Sequence, residues 1–281
     1  PELEKTLGTT FDYKLPIYRK FASIEEQNNW FQAADKPSLS DFLNTNLYNL
    51  GFTNINASFG FGEVYKTGYL DIKTMVEAYS DYLNAQNLLI EESFNYSKVQ
   101  FLANGLKYNA IDAKHIVFCE GFGLHANPYF NDLPLDGTKG ELLIIKAPKL
   151  ELQAIVKSNI FILPIGNDLY KVGATYNWED KTNFPTANGK LELLQNLEEL
   201  IACDYEVVEH FAGVRPTVKD RRPLVGTHYV HKQIHILNGL GTRGVMLGPY
   251  LAKQLFEYLE NESALDKEID INRFYKKRGL L

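Results

Sequence analysis

The sequence predicts a mixed α/β (α+β) fold, and three observations lead to this prediction. Residues 234–255 have the order of a buried strand, a glycine-rich turn and the start of a helix. Two stretches have the pattern of β-hairpins, one around Asn104-Gly105 and one around residues 166–168. Residues 72–86 place apolar side chains at helical spacing, on one face. Strands and helices therefore alternate along the chain.

The N-terminal region is predicted to form one strand and two helices. Residues 11–21 alternate between apolar and polar as a strand does. Ser23 and Glu26 form a capping box that opens a helix over residues 24–35. Residues 40–50 are expected to form a short helix, which the following glycine stops.

The central region is predicted to begin with a capped helix. Asp71 is the expected N-cap of the helix over residues 72–86. Residues 88–94 are expected to form a strand. HIVFC, residues 115–119, has a continuous apolar run that predicts a fully buried strand.

The second half of the chain continues with strands and one long helix. Residues 139–147 are expected to form a strand, and residues 160–176 a hairpin. Leucines at helical spacing predict a helix from about residue 189 to residue 203. The tail, residues 267–281, is charged and is expected to lie on the surface.

Composition limits the classes of function. The chain has 281 residues, of which 45% are hydrophobic, enough for one large domain or two small ones. A net charge of −6 argues against a general nucleic-acid binder or an anionic-membrane binder. No apolar run reaches the roughly 18 residues of a transmembrane helix. Cys119 and Cys203 lack a partner motif, so we expect buried, reduced thiols in a cytoplasmic protein. His228 and His231 have no third ligand nearby, so no metal site is predicted.

Gly239, Gly241 and Gly244 spell a dinucleotide fingerprint in an unusual place. A true fingerprint opens a strand–helix–strand unit and precedes an acidic residue by about 20 positions. Here a helical segment and a polar tail follow, with no second strand. Two interpretations remain: a tight turn that merely starts a helix, or a turn whose backbone contacts the reactive part of a cofactor. The nearby Arg215 favours the second.

Arg215 lies in a Gly-x-Arg-Pro turn just upstream of this glycine-rich segment. Pro216 restricts the backbone there, and the guanidinium fork suits a carboxylate. A helix start nearby would present N–H groups and a positive dipole end to an anionic or electron-rich ligand. The alternative is a structural arginine that fixes the turn through an ion pair.

Five segments in order resemble a known family. GVRPTVKDRRPLVG, residues 213–226, resembles the G-x-R-P-x-x-x-D-x-x-P-x-x-G block of the D-amino-acid oxidase and glycine oxidase superfamily of FAD enzymes. NGLGTRGVMLGP, residues 238–249, resembles the glycine-rich block that follows it. Residues 64–83, 114–123 and 160–176 resemble three upstream segments of the same family. Their shared order makes the resemblance much stronger than any single motif.

The resemblance implies FAD as the cofactor and a two-domain architecture. An incomplete Rossmann-like FAD-binding domain, residues 62–121 and 210–281, would be interleaved with a substrate domain. That substrate domain, residues 1–61 and 122–209, would contain a mixed or antiparallel sheet.

The family's own dinucleotide fingerprint lies at its N-terminus, and residues 1–21 contain neither an apolar strand nor a glycine loop. We therefore expect a fragment of a longer product, the alternative being a natural protein that dispenses with this part. Without that strand–turn–helix the pyrophosphate site is incomplete, so the chain is expected to bind FAD poorly or not at all.

The resemblance also assigns site residues. Arg215 would hold a substrate carboxylate. Backbone N–H groups at the helix start would stabilise the negative charge that grows at the flavin N1–C2 carbonyl. The backbone of Phe94 would contact adenine. The implied cofactor-binding residues are Phe94, Gly121, Gly239, Gly241, Thr242, Arg243, Gly244, Val245 and Met246.

One departure from the family concerns substrate binding. Where glycine oxidases carry a tyrosine that helps to hold the substrate carboxylate, this chain has Phe161. A phenol donor is lost there, and Tyr176 is the candidate to replace it. Arg243 is placed to reach either cofactor or substrate.

The leading hypothesis is an FAD-dependent oxidoreductase that oxidises a small amine with a nearby carboxylate by hydride transfer to the flavin. The second is the FAD domain of a bifunctional tRNA wobble-uridine modification enzyme, although the acidic net charge counts against it. The third is a flavin-fold binding protein without turnover. The sequence names neither the substrate, the electron acceptor nor the oligomeric state.

Overall fold

The computed structural model describes residues 1–49, 51–52 and 54–280. Within them the α-helices are α1 (Glu2–Leu7), α2 (Ile24–Ala34), α3 (Ile72–Ala85), α4 (Ala187–Leu200), α5 (Gly244–Glu260) and α6 (Asn272–Lys277). The strands are β1 (Asp12–Lys14), β2 (Ile17–Lys20), β3 (Phe61–Val64), β4 (Gly68–Leu70), β5 (Val99–Leu102), β6 (Gly105–Tyr108), β7 (Ile111–Ala113), β8 (Ile116–Phe118), β9 (Thr138–Lys146), β10 (Ile155–Lys157), β11 (Phe161–Gly166), β12 (Leu169–Gly173), β13 (Glu206–Arg215), β14 (Leu224–Thr227) and β15 (Ile234–Asn238). The mixed α/β fold class is therefore confirmed.

The chain divides into two compact units, each made of several stretches of sequence. The first unit comprises residues 1–91, 140–176 and 183–212, and the second comprises residues 92–139, 177–182 and 213–281.

These units have different boundaries from the domains expected from the family resemblance. Residues 62–91 lie in the first unit, because β3 pairs with β2 and β4 pairs with β1. Residues 122–139 lie in the second unit, where Leu124, Phe130 and Leu133 join its core. Which unit serves FAD and which serves the substrate stays a prediction.

The first unit is built on a sheet of strand order β13-β9-β12-β11-β10-β2-β3. The pairs β10–β11, β11–β12, β12–β9 and β2–β3 are antiparallel, whereas β10 and β2 run parallel. Helix α4 packs its buried leucines, Leu193, Leu197 and Leu200, into the sheet's apolar cluster. The expected hairpin between β11 and β12 is present, and Gly166, Asn167 and Asp168 all have positive φ in its turn.

The second unit contains two small sheets. In the sheet β14-β15-β8, β15 runs parallel to β8 and antiparallel to β14. Strands β5, β6 and β7 form an antiparallel meander. The predicted hairpin between β5 and β6 turns at residues 103–104, and Gly105 is already the first residue of β6. A Cβ at Gly105 would come within 2.6 Å of the Ala113 carbonyl oxygen, so close strand approach accounts for this glycine.

Two predicted helix starts are confirmed by their caps. The Ser23 side chain accepts a hydrogen bond from the Glu26 N–H at 3.2 Å, and the Asp71 side chain accepts one from the Thr74 N–H at 3.2 Å. The apolar face of α3 is present as predicted, but none of the helix's residues is buried.

The short helix predicted over residues 40–50 is wrong for the residues described. Leu43 and Tyr48 form isolated bridges to Val64 and Phe61, so this stretch runs beside β3. The Asn44 side chain accepts from the Asn46 N–H at 2.9 Å, and such local bonds compete with helix formation. Leu50 lies outside the described residues.

Three strand predictions also need correction. Residues 88–94 form no strand. Residues 11–21 split into β1 and β2 because Pro16 interrupts them. In HIVFC only Phe118 is buried and Val117 is 39% exposed, because β8 ends its sheet within the described part of the chain.

The prediction that the charged tail lies on the surface is wrong for several of its apolar residues, while Leu281 lies outside the described residues. Ile271 and Tyr275 are completely buried in the core of the second unit. The N–H of Ile271 donates to the Val225 carbonyl, and the N–H of Val225 donates to the Ile269 carbonyl. The apolar residues of the tail therefore pack on β14, while its lysines remain exposed.

Candidate functional site

Two loops meet at one edge of the sheet β14-β15-β8 in the second unit. Because β8 and β15 pair in parallel, with Ile116, Val117 and Phe118 opposite Ile234, His235 and Ile236, their carboxyl ends lie side by side. Residues 119–121 follow the first strand, and residues 239–241 follow the second. Ligands of open α/β sheets bind at such carboxyl ends.

Three glycines give these loops their backbone shape. Gly121, Gly239 and Gly241 have φ angles of 57°, 71° and 54°, a region that disfavours other residues. A Cβ at Gly239 would lie 2.5 Å from Val218 Cγ2, so this position has no room for a side chain. Gly121 has open space where a Cβ would be, which leaves room for a ligand.

The start of α5 is open at this edge. Residues Gly241–Arg243 form a short 3-10 turn that leads directly into the helix. No side chain caps α5, and its first turn contains no acidic residue. Val245 and Met246 are 50% and 71% exposed. The positive end of the helix dipole is therefore available to an anion or to an electron-rich carbonyl.

The structure corrects the set of expected N–H donors. The Arg243 N–H already donates to the Leu240 carbonyl at 3.0 Å, within the 3-10 turn. Arg243 therefore does not add a free backbone donor. The first-turn backbone of Gly244, Val245 and Met246 remains the candidate donor set, with Thr242 inside the turn that precedes it.

Asn238 joins the two loops, and the sequence reasoning missed it. Its side chain is 3% exposed, donates to the Gly121 carbonyl at 2.9 Å and accepts from the Gly239 N–H at 2.7 Å. Its position at the end of a buried strand, directly before a glycine turn, was the available signal. This amide fixes the spacing of the loops.

Arg215 is joined to the same edge through the backbone. It is the last residue of β13, and the carbonyl of the next residue, Pro216, accepts a hydrogen bond from the Gly241 N–H at 3.0 Å. The structure therefore brings Arg215, Gly239, Gly241 and the start of α5 into one neighbourhood. Arg215 is half-buried.

Phe94 lies in an aromatic cluster beside the end of β8. Its ring stacks on Tyr108 with centroids 4.3 Å apart and meets Phe118 edge-on at 5.6 Å. Next to it, Tyr96 donates its hydroxyl hydrogen bond to Glu120. Burial, followed by this carboxylate, raises the pKa of Tyr96 to about 12, so the phenol stays protonated at neutral pH.

Phe161 and Tyr176 belong to the first unit. Phe161 opens β11 opposite Gly173, and a Cβ at Gly173 would lie 3.3 Å from its ring. Tyr176 is 63% exposed.

Two other predictions concern metals and cysteines. Among the described residues, no three His, Cys, Asp or Glu side chains are grouped closely enough to hold a metal ion. Both cysteines are free, but Cys119 is exposed and Cys203 half-buried, so the expectation of buried thiols is wrong. Within residues 1–49, 51–52 and 54–280, no helix has the length and apolarity needed to cross a membrane.

The edge has the features that a flavin needs from a protein. A ligand can approach Gly121 closely, and the start of α5 offers a positive dipole end with no side-chain cap and no acidic residue in its first turn. The residues present therefore fit an electron-rich, anionic cofactor.

Comparison with known proteins adds independent information. Residues 2–258 match the family described as DAO, FAD dependent oxidoreductase. The chain is 22% identical to glycine oxidase of Bacillus subtilis (strain 168) over 236 residues, which cover 78% of this chain and 63% of the relative. It is 26% identical over 144 residues to the tRNA 5-methylaminomethyl-2-thiouridine biosynthesis bifunctional protein of Legionella pneumophila (strain Philadelphia 1), covering 48% of this chain and 20% of that protein. The fold resembles the crystal structure of glycine oxidase from Bacillus cereus, with a TM-score of 0.79, 17% identity and coverage of 95% and 79% of the two chains.

Proposed function

Because the chain belongs to the DAO family of FAD dependent oxidoreductases, whose cofactor is FAD, we propose that it oxidises a small amine bearing a carboxylate. The observation that carries this proposal is the link between Arg215 and the glycine turn through the Gly241 N–H and the Pro216 carbonyl. A guanidinium fixed beside a helix start favours a substrate with a carboxylate near its reacting carbon.

Each part of the edge has a distinct role in this proposal. FAD, when bound, accepts a hydride from the carbon that bears the amine. The start of α5 stabilises negative charge on the ligand edge that faces it, because its dipole and first-turn N–H groups are fixed before the reaction. Arg215 orients the substrate by its carboxylate. The Phe161 side chain offers no hydrogen-bond donor, so the proposal assigns carboxylate binding first to Arg215, with Tyr176 and Arg243 as the further candidates.

The proposal is tested with the complete protein loaded with FAD under anaerobic conditions. Glycine and sarcosine are each compared with the amide that lacks the carboxylate charge, glycinamide and sarcosinamide. Bleaching of the flavin's visible absorption by an acid, and much more slowly by its amide, is the expected result. Equal rates for acid and amide would contradict a carboxylate-binding site. No bleaching by any amine would favour a protein without turnover.

A second candidate is oxidation of a carboxymethylated amine on a tRNA uridine. It is motivated by the similarity of 144 residues to the Legionella pneumophila protein. The net charge of −6 argues against it, because a tRNA-binding surface is usually basic. A test offers the free carboxymethylaminomethyl uridine nucleoside and a tRNA that carries it. Faster flavin reduction by the tRNA would support this candidate, whereas reduction by small amino acids alone would reject it.

A further inference from the structure

One short segment contacts residues on both sides of Arg215. We call residues 135–139 the support segment. A Cβ at Gly137 would come within 2.9 Å of Val214 Cγ1, so the segment packs tightly against the residue before Arg215. On the other side, the Thr217 carbonyl accepts from the N–H groups of Asp136 at 2.8 Å and Gly137 at 3.2 Å.

The hydroxyl of Thr138 also donates to that of Thr217 at 3.1 Å, and Leu135 forms a bridge with Val218. A displacement of the support segment would therefore move the backbone that carries Arg215.

A second segment, residues 177–182, holds the support segment in turn, and we call it the clasp. Lys139 and Asn177 exchange both backbone hydrogen bonds, at 2.8 and 3.0 Å. The Lys181 ammonium donates to the Gly137 carbonyl at 2.9 Å and to the Asp136 carboxylate at 3.1 Å. The support segment is thus tied to the clasp at Asp136, Gly137 and Lys139.

The ion pair between Lys139 and Asp180 stands out in this arrangement because the lysine side chain is 1% exposed. Its ammonium also donates to the Thr182 hydroxyl at 3.3 Å. The Asp180 carboxylate is held in place by the Thr182 N–H at 2.8 Å and the Thr182 hydroxyl at 2.7 Å. A buried ammonium is costly unless it is paired and hydrogen-bonded, so separating the clasp from Lys139 would leave a buried charge without its partner.

The Asp180 carboxylate keeps its negative charge except in strong acid. The hydrogen bond from Lys139, followed by the bonds from Thr182, lowers the pKa of Asp180 to about 2. The Asp180 carboxylate therefore stays ionised from mildly acidic to neutral pH.

We propose that Lys139 and Asp180 are positioning residues for Arg215. Their ion pair locks the clasp onto the support segment, and the support segment sets the place of the guanidinium that binds the carboxylate. This inference rests on the proposed role of Arg215, and it adds that carboxylate affinity depends on an ion pair outside the binding group itself.

The test measures binding of benzoate and its neutral analogue benzamide to the complete FAD-loaded protein, through the change in flavin absorption. Lys139→Met removes the charge and keeps an apolar side chain of similar length. We expect its benzoate Kd to rise about tenfold, within the coupling range of residues that share one network, and its benzamide Kd to stay unchanged. The matched control is Glu268→Gln, which breaks an exposed pair with Arg222 (3.1 Å) in the same unit and should change neither Kd.

A double-mutant cycle separates positioning from general support of the fold. In an Arg215→Ala background, Lys139→Met should add no further loss of benzoate affinity. An equal loss in both backgrounds, or an equal loss for benzamide, would overturn the inference. Lys139→Arg, which keeps the charge, should retain most of the benzoate affinity. Asp180→Asn repeats the test should Lys139→Met fail to fold.

The carboxylate site at Arg215 and the positioning role of Lys139 and Asp180 can be refuted separately. Unchanged benzoate affinity in Arg215→Ala itself would refute the proposed carboxylate site. A loss in Arg215→Ala with wild-type affinity in both Lys139→Met and Asp180→Asn would refute only the positioning role.

Discussion

The N–H of Gly241 donates a hydrogen bond of 3.0 Å to the carbonyl oxygen of Pro216. This bond fastens the end of the strand that carries Arg215 to the turn that starts α5. The main chain thereby fixes the backbone of Arg215 close to the positive end of α5. Such a fixed pair suits a reaction in which one group holds the substrate and the other faces the cofactor.

Replacing Arg215 tests whether its guanidinium binds the substrate carboxylate. Arg215→Ala is expected to raise KM for the active amino acid about 100-fold, since removing one partner of a hydrogen-bonded charge pair costs about 2–5 kcal/mol. Arg215→Lys should recover only part of the loss, because an ammonium lacks the two-point fork. Steady-state kinetics measures both, with the exposed Arg222→Ala as control. An unchanged KM in Arg215→Ala would remove the assigned role.

Replacing Asn238 tests the coupling between the two loops. Asn238→Ala leaves the Gly121 carbonyl and the Gly239 N–H without their partner, at a cost of about 1–3 kcal/mol. In the complete protein we expect a lower Tm and weaker retention of FAD, measured by desalting followed by a visible spectrum. Asn261→Ala, at an exposed position after α5, is the matched control. Full FAD retention in Asn238→Ala would show that the loops keep their spacing without this amide.

The glycine turn makes a prediction about stability. In Gly239→Ala the new methyl would lie 2.5 Å from Val218 at a φ of +71°, so we expect a loss of at least about 2 kcal/mol in the free energy of unfolding. Gly248→Ala is the contrasting variant on α5, where a Cβ would meet nothing within 4 Å. It should be neutral or stabilising by up to about 1 kcal/mol. Urea unfolding distinguishes the two, and similar effects of both would contradict the packing explanation.

Two buried histidines predict a loss of stability in acid. His235 is 2% exposed and bonds His115 at 2.9 Å and Thr227 at 2.8 Å. Burial, followed by the charge of His115, lowers the pKa of His235 to about 4, and burial lowers that of His228 to about 4 as well. The unfolded chain takes up protons at these sites near pH 6.5, whereas the folded chain does so only near pH 4. The free energy of unfolding that these two neutral histidines contribute is therefore fully present above about pH 6.5 and decreases as the pH drops towards 4.

By pH 5 the expected loss is about 2 kcal/mol for each of these histidines. Urea unfolding at pH 7 and pH 5 measures it. His235→Gln should reduce the pH dependence of the free energy of unfolding by about half. It should also lower stability at pH 7, because His115 and Thr227 lose their hydrogen bonds to the imidazole ring. An equal pH dependence in wild type and variant would show that His235 titrates normally in the fold.

Local signals predicted the parts of the fold that local chemistry determines. The caps at Ser23 and Asp71 were readable because a side-chain oxygen three residues before its N–H partner needs no tertiary context. The turn of the β11–β12 hairpin was readable because Gly166, Asn167 and Asp168 tolerate positive φ. The strand, turn and helix start around Gly239 and Gly241 were predictable because turn glycines there separate a strand pattern from a helix pattern.

Tertiary context decided what the sequence could not show. The tail is as highly charged as a surface segment, yet Ile271 and Tyr275 are buried in the core of the second unit, and the backbone of Ile269 and Ile271 bonds Val225 of β14. Residues 88–94 have a strand composition, but Leu88 and Ile90 are 65% and 60% exposed. Asn238 was missed because its role depends on Gly121, which lies 117 residues away. Arg215 could be proposed from the sequence because its motif lies close to the glycine-rich segment along the chain, whereas Lys139 contacts Asp180 only in the folded protein.

The most direct measurement is a crystal structure of the complete protein with FAD and benzoate. The account predicts the carboxylate on the Arg215 guanidinium, with N···O distances of about 2.7–2.9 Å, and the flavin carbonyl edge facing the first turn of α5. A benzoate bound elsewhere, with Arg215 engaged in an ion pair within the protein, would contradict it.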